Sequence, residues 1–184
     1  HALDSIAGAA TVADLCVGDA VSGAEGVLDV GSGAGFPGIP LAIALPEVRF
    51  SLLERSAKKC AFLENCRALL GLANVAVRQA DLSEASGGFD VVTFRAVAPL
   101  ARFLADLARS RVAWRSVAAY KGRRDRIDEE LAALGPAALH AVIVRLEVPF
   151  VDEERHLVVL RNGGGSAARS AGSPLNLDNT GSGD

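Results

Sequence analysis

The chain holds 184 residues (19.0 kDa), half of them apolar, 22% charged and 5% aromatic, with a formal net charge of −3. A mean hydropathy of +0.28 excludes bulk disorder, and the length suits one domain with a buried core. No apolar run reaches the roughly 18 residues of a membrane-spanning helix, and Asp4 and Asp14 interrupt the only candidate leader.

In chain order, small and apolar residues from Leu3 to Cys16 predict a helix, the last of a group that begins upstream. The start at His1 and the lack of any methionine fit a truncated form of a longer protein. Gly26-Val-Leu-Asp-Val30 predicts a short buried strand that runs into glycines. A helix begins near Pro37, where a missing N–H is tolerated, continues through Ile39, Leu41, Ala42 and Leu45, and stops at Pro46. Arg49 to Leu53 is a second strand ending at Glu54. Ser56 is expected to cap a long amphipathic helix closed by Gly71.

Val75 to Gln79 is a third strand, Asp81 to Ala85 a turn or short helix, Phe89 to Phe94 a fourth strand, and Pro99 to Ala108 a helix. Ser116 to Tyr120 is a fifth strand, and Arg124 to Leu134 a helix ended by Gly135-Pro136. Ala141 to Pro149 and Arg155 to Arg161 are strands with only a short acidic turn between them, a hairpin pattern. From 162 to 184, 17 of 23 residues are Gly, Ser, Asn, Asp, Thr or Pro, which predicts a flexible tail after a single domain over residues 1–161. Strands alternating with helices imply a mainly parallel α/β sheet with helices on both faces and an antiparallel edge. Such sheets bind ligands just beyond the carboxyl ends of their strands. The functional candidates are therefore Gly31 to Gly38, Glu54, Asp81 to Ser83, Arg95 and Lys121.

Charge is unevenly spread. Between Arg95 and Arg126 nine arginines and lysines face only Asp106 and Asp125, a local excess of +7 that leaves −10 for the rest of the chain. This suits a basic face for a polyanion; solvated helix faces are the plain alternative. Cys16, Cys60 and Cys66 lack C-x-x-C spacing and read as free thiols in a reducing cytoplasm. Cys60 and Cys66 are expected to be packing residues, as are Trp114 and Tyr120, which could otherwise stack on an unpaired base. His140 and His156 lack partners at metal-ligand spacing.

Asp29-Val-Gly-Ser-Gly-Ala-Gly-Phe-Pro-Gly38 is the informative segment. Glycines 31, 33 and 35 permit positive φ and close approach of backbone to ligand. Two ligands compete for such a loop. Gly33-x-Gly35-x-x-Gly38 matches the dinucleotide fingerprint, whose helix end holds a pyrophosphate. The earlier frame, strand-Asp-x-Gly-x-Gly-x-Gly, matches methyltransferases that use S-adenosyl-L-methionine. The strand-end glycine, Gly31, lies two residues too early for the first frame. A carboxylate at Asp29 opposes a pyrophosphate but suits a cationic sulfonium and amino group. Glu54 serves either ligand, since both carry a ribose.

Several segments resemble the bacterial glucose-inhibited division protein B family. They are His1-Ala-Leu-Asp-Ser5, Val27 to Leu41 with its Gly-Phe-Pro-Gly-Ile-Pro extension, Leu53 to Leu63, Phe89 to Ala98, Tyr120-Lys-Gly122 and Glu154 to Val159. The resemblance implies a Rossmann-like class I methyltransferase with a seven-stranded sheet. It also implies transfer of a methyl group from S-adenosyl-L-methionine to guanine N7 of 16S ribosomal RNA. The implied partner is that RNA or the small ribosomal subunit, with no membrane, no metal and a monomeric chain. Position by position, Gly31 and Phe36 are implied contacts to the donor, Leu82 and Ser83 to its adenine, and Arg95 is the arginine after the fourth strand. Asp29, Gly33, Gly35, Glu54 and Asp81 complete the expected donor site. Arg95 and Lys121 are the expected catalytic pair, gripping phosphate or guanine O6 without moving protons. Family members commonly carry Arg-Ala-Glu-Glu after the third strand, where this chain reads Asp81-Leu-Ser-Glu84.

Overall fold

The computed structural model describes residues 1–17, 24–135 and 140–162. Its elements are α1 (Ala2–Ala7), α2 (Ala9–Cys16), β1 (Val27–Val30), α3 (Gly38–Ala44), β2 (Phe50–Glu54), α4 (Ala57–Leu69) and β3 (Val75–Gln79). There follow β4 (Ser86–Arg95), α5 (Leu100–Arg109), β5 (Arg111–Lys121), α6 (Arg124–Leu134), β6 (Ala141–Leu146) and β7 (Arg155–Arg161). Apart from Asn162, the predicted tail lies outside the described residues.

The seven strands form one sheet in the order β3-β2-β1-β4-β5-β7-β6. The first five pair in parallel, and β7 runs antiparallel between β5 and β6. Strand order reverses between β1 and β4, which opens a crevice at their carboxyl ends. Side chains alternate across the sheet with period two. Val27, Phe50, Leu52 and Val91 enter a core with Val12, Leu41 and Leu63 from α2, α3 and α4. Leu28, Val30, Leu53 and Val92 enter the opposite core with Phe103, Leu107 and Ile127 from α5 and α6. Phe94 stacks on Phe103 with ring centroids 3.7 Å apart, fixing α5 against β4.

Four expectations change. The N-terminal helix is two helices that meet at Gly8, where a Cβ would stand 2.3 Å from the Tyr120 hydroxyl. β4 and β5 are longer than their apolar cores, since Ser86 to Phe89 pair with Arg111 to Trp114 in parallel register. β6 ends at Leu146, short of Pro149. Ser56 occupies the position before α4 without a capping bond from its side chain; its N–H instead donates to Glu54 Oε1 at 2.9 Å. Cys60 is buried, Cys66 packs at the margin of the core, and all three thiols are free. Tyr120 is buried and Trp114 packs on the core, as expected of packing residues.

Candidate active site

A cleft of about 720 Å³ opens at the carboxyl ends of β1, β2 and β4. Gly31, Glu54, Asp81, Leu82, Ser83 and Arg95 all line it, so six of the predicted residues from four chain segments meet in one place. The volume lies in the range of small-molecule sites.

The glycine turn is built by bonds to the protein itself. Gly31 and Ser32 N–H donate to the Leu53 carbonyl at 2.8 and 3.2 Å, and Gly35 and Phe36 N–H donate to the Ser32 carbonyl. Gly33 N–H donates to Glu54 Oε2 at 3.0 Å, so Glu54 braces the turn while facing the cleft. Gly38 N–H, the first of α3, donates to Asp29 Oδ2 at 3.1 Å. These donors are engaged, and a pyrophosphate would have to compete for them with carboxylates already in place.

Asp29 departs from its expected role. Alternation along β1 sends its side chain to the α3 side of the sheet, where it is fully buried, and it does not line the cleft. It ties β1 to the start of α3 and presents no charge to a ligand. Burial pushes its carboxyl up from 3.8 to about 7. Between those values the folded protein holds a proton that the unfolded chain has released. The resulting stabilisation is complete below about pH 4 and is lost as the pH rises through about 7. The wild type should therefore lose thermal stability relative to Asp29→Asn between about pH 4 and pH 8. Parallel melting curves across that interval would contradict this account.

Lys121 also departs. Its ammonium lies 2.8 and 3.1 Å from the Glu130 carboxylate oxygens and 5.5 Å from the centre of the Phe94 ring, and it does not line the cleft. Glu130 Oε2 also accepts the Leu100 N–H at 2.7 Å, so Lys121 and Glu130 join β5 and α6 to the start of α5. Gly33, Gly35 and Phe36 shape the turn without lining the cleft; the Phe36 ring packs on His1, with centroids 5.9 Å apart. Asp81, the departure from the resembling family, closes its own turn by accepting the Ser83 N–H at 3.1 Å and the Ser83 hydroxyl at 2.9 Å. Those bonds hold its carboxyl below the usual range.

The family model for rRNA small subunit methyltransferase G, GidB, matches residues 1–158. The chain belongs to this family. It is 47% identical over 137 residues to ribosomal RNA small subunit methyltransferase G of Methylococcus capsulatus, covering 73% of this chain and 65% of that protein. The same-named protein of Solibacter usitatus is 44% identical over 146 residues (76% and 69%), and that of Ralstonia nicotianae 40% over 162 residues (87% and 71%). The chain thus spans about two thirds of the length of these curated relatives. Among solved structures, a human methyltransferase 10 domain containing protein superposes with a TM-score of 0.63 at 14% identity, covering 86% of this chain and 81% of that one. Magnesium protoporphyrin IX methyltransferase from Synechocystis, solved with bound SAM, gives 0.56 at 20% identity, covering 87% and 78%. The fold is the Rossmann-like class I methyltransferase fold.

Within this member of the rRNA small subunit methyltransferase G family, the cleft also takes in part of the basic stretch, which the sequence marks as a face for a polyanion and not as part of the donor site. Arg102, Asp106 and Arg109 reach it from α5. Their spacing of four and three residues puts them on one helix face, a signal present in the sequence. Val97 follows Ala96, whose φ of 52° turns the chain after β4. Asp4 stands behind Arg95, its Oδ2 2.7 Å from Arg95 Nη2. Among the described residues no cluster of three His, Cys, Asp or Glu side chains could hold a metal, and no helix is long and apolar enough to cross a membrane. His156 is buried with its Nδ1 2.7 Å from the Gly122 carbonyl.

Proposed function

We propose that this chain methylates N7 of a guanine in 16S ribosomal RNA, with S-adenosyl-L-methionine as donor. The observation that carries this reading is the cleft itself. Its four motif glycines, Gly31, Gly33, Gly35 and Gly38, have their amides occupied, and carboxylates at Glu54 and Asp81 are placed to accept from hydroxyl and amino groups. Arg95 supplies the cationic wall, with its side chain 19% exposed. This donor set fits a nucleoside sulfonium with an amino-acid tail better than a pyrophosphate. Gly31, Glu54, Asp81, Leu82, Ser83 and Arg95 would hold the donor. Asp29, Gly33, Gly35 and Phe36 support the turn from behind.

When bound, the donor supplies an electrophilic methyl group on a positively charged sulfur. Guanine N7 carries a free lone pair and loses no proton on methylation, so the protein needs no general base. Its task is placement, which can supply roughly 7–11 kcal/mol of the barrier. Arg95 orients an anionic or carbonyl oxygen through charge-assisted N–H bonds. Lys121 acts at a distance from the reaction, by seating the start of α5.

The basic stretch divides on its ion pairs. At the start of α6, Arg123 just before the helix and Arg124 and Arg126 within it each have their own acid, Asp125, Asp128 and Glu129, and Lys121 has Glu130. Three of those acids, Asp128, Glu129 and Glu130, lie just after Arg126 in the chain. On α5, Arg102 and Arg109 share Asp106 and line the cleft. RNA phosphate therefore meets the α5 pair. Replacing Arg102 and Arg109 with alanine should weaken RNA binding and reduce the slope of log affinity against log salt by roughly 0.7–0.9 per lost phosphate contact. The same change at Arg123 and Arg124 should leave the slope nearly unaltered, and the opposite ranking would overturn this assignment. The reaction itself is tested by mass spectrometry of ribosomal RNA from cells with and without the gene. Loss of one N7-methylguanine from 16S RNA is expected, and an unchanged nucleoside profile would refute it.

A further inference from the structure

Asp4 has no place in the donor site, yet it is one of the most deeply buried charged residues, only 4% exposed. Its carboxylate joins two arginines. Oδ2 lies 2.7 Å from Arg95 Nη2 and 3.8 Å from His1 Nδ1, and Oδ1 lies 3.5 Å from Arg155 Nε. Arg155 also approaches Glu153 at 3.8 Å. The helix carrying Asp4 is firmly seated: the Tyr120 hydroxyl donates to the Ser5 carbonyl at 2.8 Å, and Gly8 packs directly on the Tyr120 ring. α1 is thereby fixed to β5, and through Asp4 to the ends of β4 and β7.

Arg95 needs such a tether. It is the last residue of β4 and precedes Ala96, which holds a left-handed φ of 52° uncommon for a residue with a Cβ. An untethered arginine at a cleft wall samples many rotamers, and its ordering upon ligand binding costs free energy. A carboxylate fixed from a second element removes that freedom in advance.

We propose that Asp4 is the positioning residue for Arg95, holding its guanidinium in one orientation toward the cleft before any ligand arrives. The kinetic part of this inference rests on the methyltransferase reading; the side-chain ordering does not. Four variants of the full chain test it: Asp4→Asn, Arg155→Gln, Arg95→Ala, and Asp4→Asn combined with Arg95→Ala.

In Asp4→Asn, kcat should fall about tenfold or more, since misplacement of an aligning group is costly even when small. Added to Arg95→Ala, the same change should cost less than about twofold, because the partner is already gone. Arg155→Gln removes the other cation on Asp4; it should lower the melting temperature while keeping kcat within about threefold of wild type, since Asp4 Oδ2 still holds Arg95. Nitrogen-15 NMR of the arginine Nε–Hε groups gives a readout without donor or RNA. The Arg95 signal, assigned by its loss in Arg95→Ala, should be sharp in the wild type and broadened in Asp4→Asn. Equal costs of Asp4→Asn in both backgrounds, kcat losses that track melting temperature in every variant, or an unchanged Arg95 signal would each overturn the proposal. Absence of methyl transfer by the wild type would refute the functional reading, and the NMR comparison would still decide the coupling.

Discussion

Gly31→Asp is expected to abolish donor binding while RNA affinity persists. Gly31 adopts a φ of +69° at the end of β1, and a Cβ there would stand 2.9 Å from Val97 Cγ2. Both residues line the cleft. Val97 is partly exposed and can move aside, so the fold tolerates the change, at about 1–2 kcal/mol for a left-handed residue with a side chain. The cleft does not tolerate it. An added carboxylate occupies the space beside Glu54 and brings a second negative charge near it. Affinity for S-adenosyl-L-homocysteine, measured by calorimetry, should fall by roughly a hundredfold or more, about 3 kcal/mol. RNA affinity should fall by less than about tenfold, since Arg102 and Arg109 keep their charges. Homocysteine-nucleoside binding within tenfold of wild type would contradict the role given to this turn.

Gly38→Ala is expected to destabilise the fold well beyond Gly33→Ala, although its backbone is unstrained. A Cβ at Gly38 would lie 2.3 Å from Leu52 Cδ2 and 2.6 Å from Asp29 Oδ2. Leu52 and Asp29 are both fully buried in the layer between sheet and α3. Neither can yield without shifting β1 or β2, so overpacking should cost about 2–3 kcal/mol. Gly33→Ala provides the contrast. Its nearest neighbour is the Gly31 carbonyl at 3.7 Å, and only its φ of +57° is strained, a cost of about 1–2 kcal/mol. Urea unfolding should rank Gly38→Ala clearly below Gly33→Ala. Equal midpoints would show that the sheet and α3 pack more loosely than described. The result also bears on the two readings of the motif, because Gly38 is the last glycine of the dinucleotide frame. Here its missing side chain lets α3 approach the sheet, and its N–H is held by Asp29.

Much of the architecture was legible because this sheet is written in local patterns. Short apolar strands ending in glycine or acid, each followed by a helix, placed β1, α3, β2, α4 and β3 within a residue or two. The outer half of the sheet was harder. Ser86 to Gly88 carry no apolar residue and Arg111 to Arg115 only a three-residue apolar run between arginines, and they are extended because they pair with each other. The tight packing at Gly8 involves Tyr120, more than a hundred residues away. The cleft residues were legible from a single rule, that ligands gather where parallel strands end. That rule places a residue near the cleft without saying which way its side chain points. Asp29 sits one position short of the strand end and faces the α3 layer, a parity that Val27 and Leu52 on the same face already encode. Lys121 does end a strand, but Glu130 on the next helix claims it. Much of the basic stretch is opposed by acids outside it: Asp128, Glu129 and Glu130 after it, Asp90 just before it and Asp4 far upstream.

The ligand that the cleft accepts distinguishes a methyl donor site from a dinucleotide site. Titrating the purified chain separately with S-adenosyl-L-homocysteine and with NAD decides it by calorimetry. Saturable binding of the first at one site per chain, with no heat from the second, is the predicted result. Saturable binding of NAD with none of S-adenosyl-L-homocysteine would contradict it.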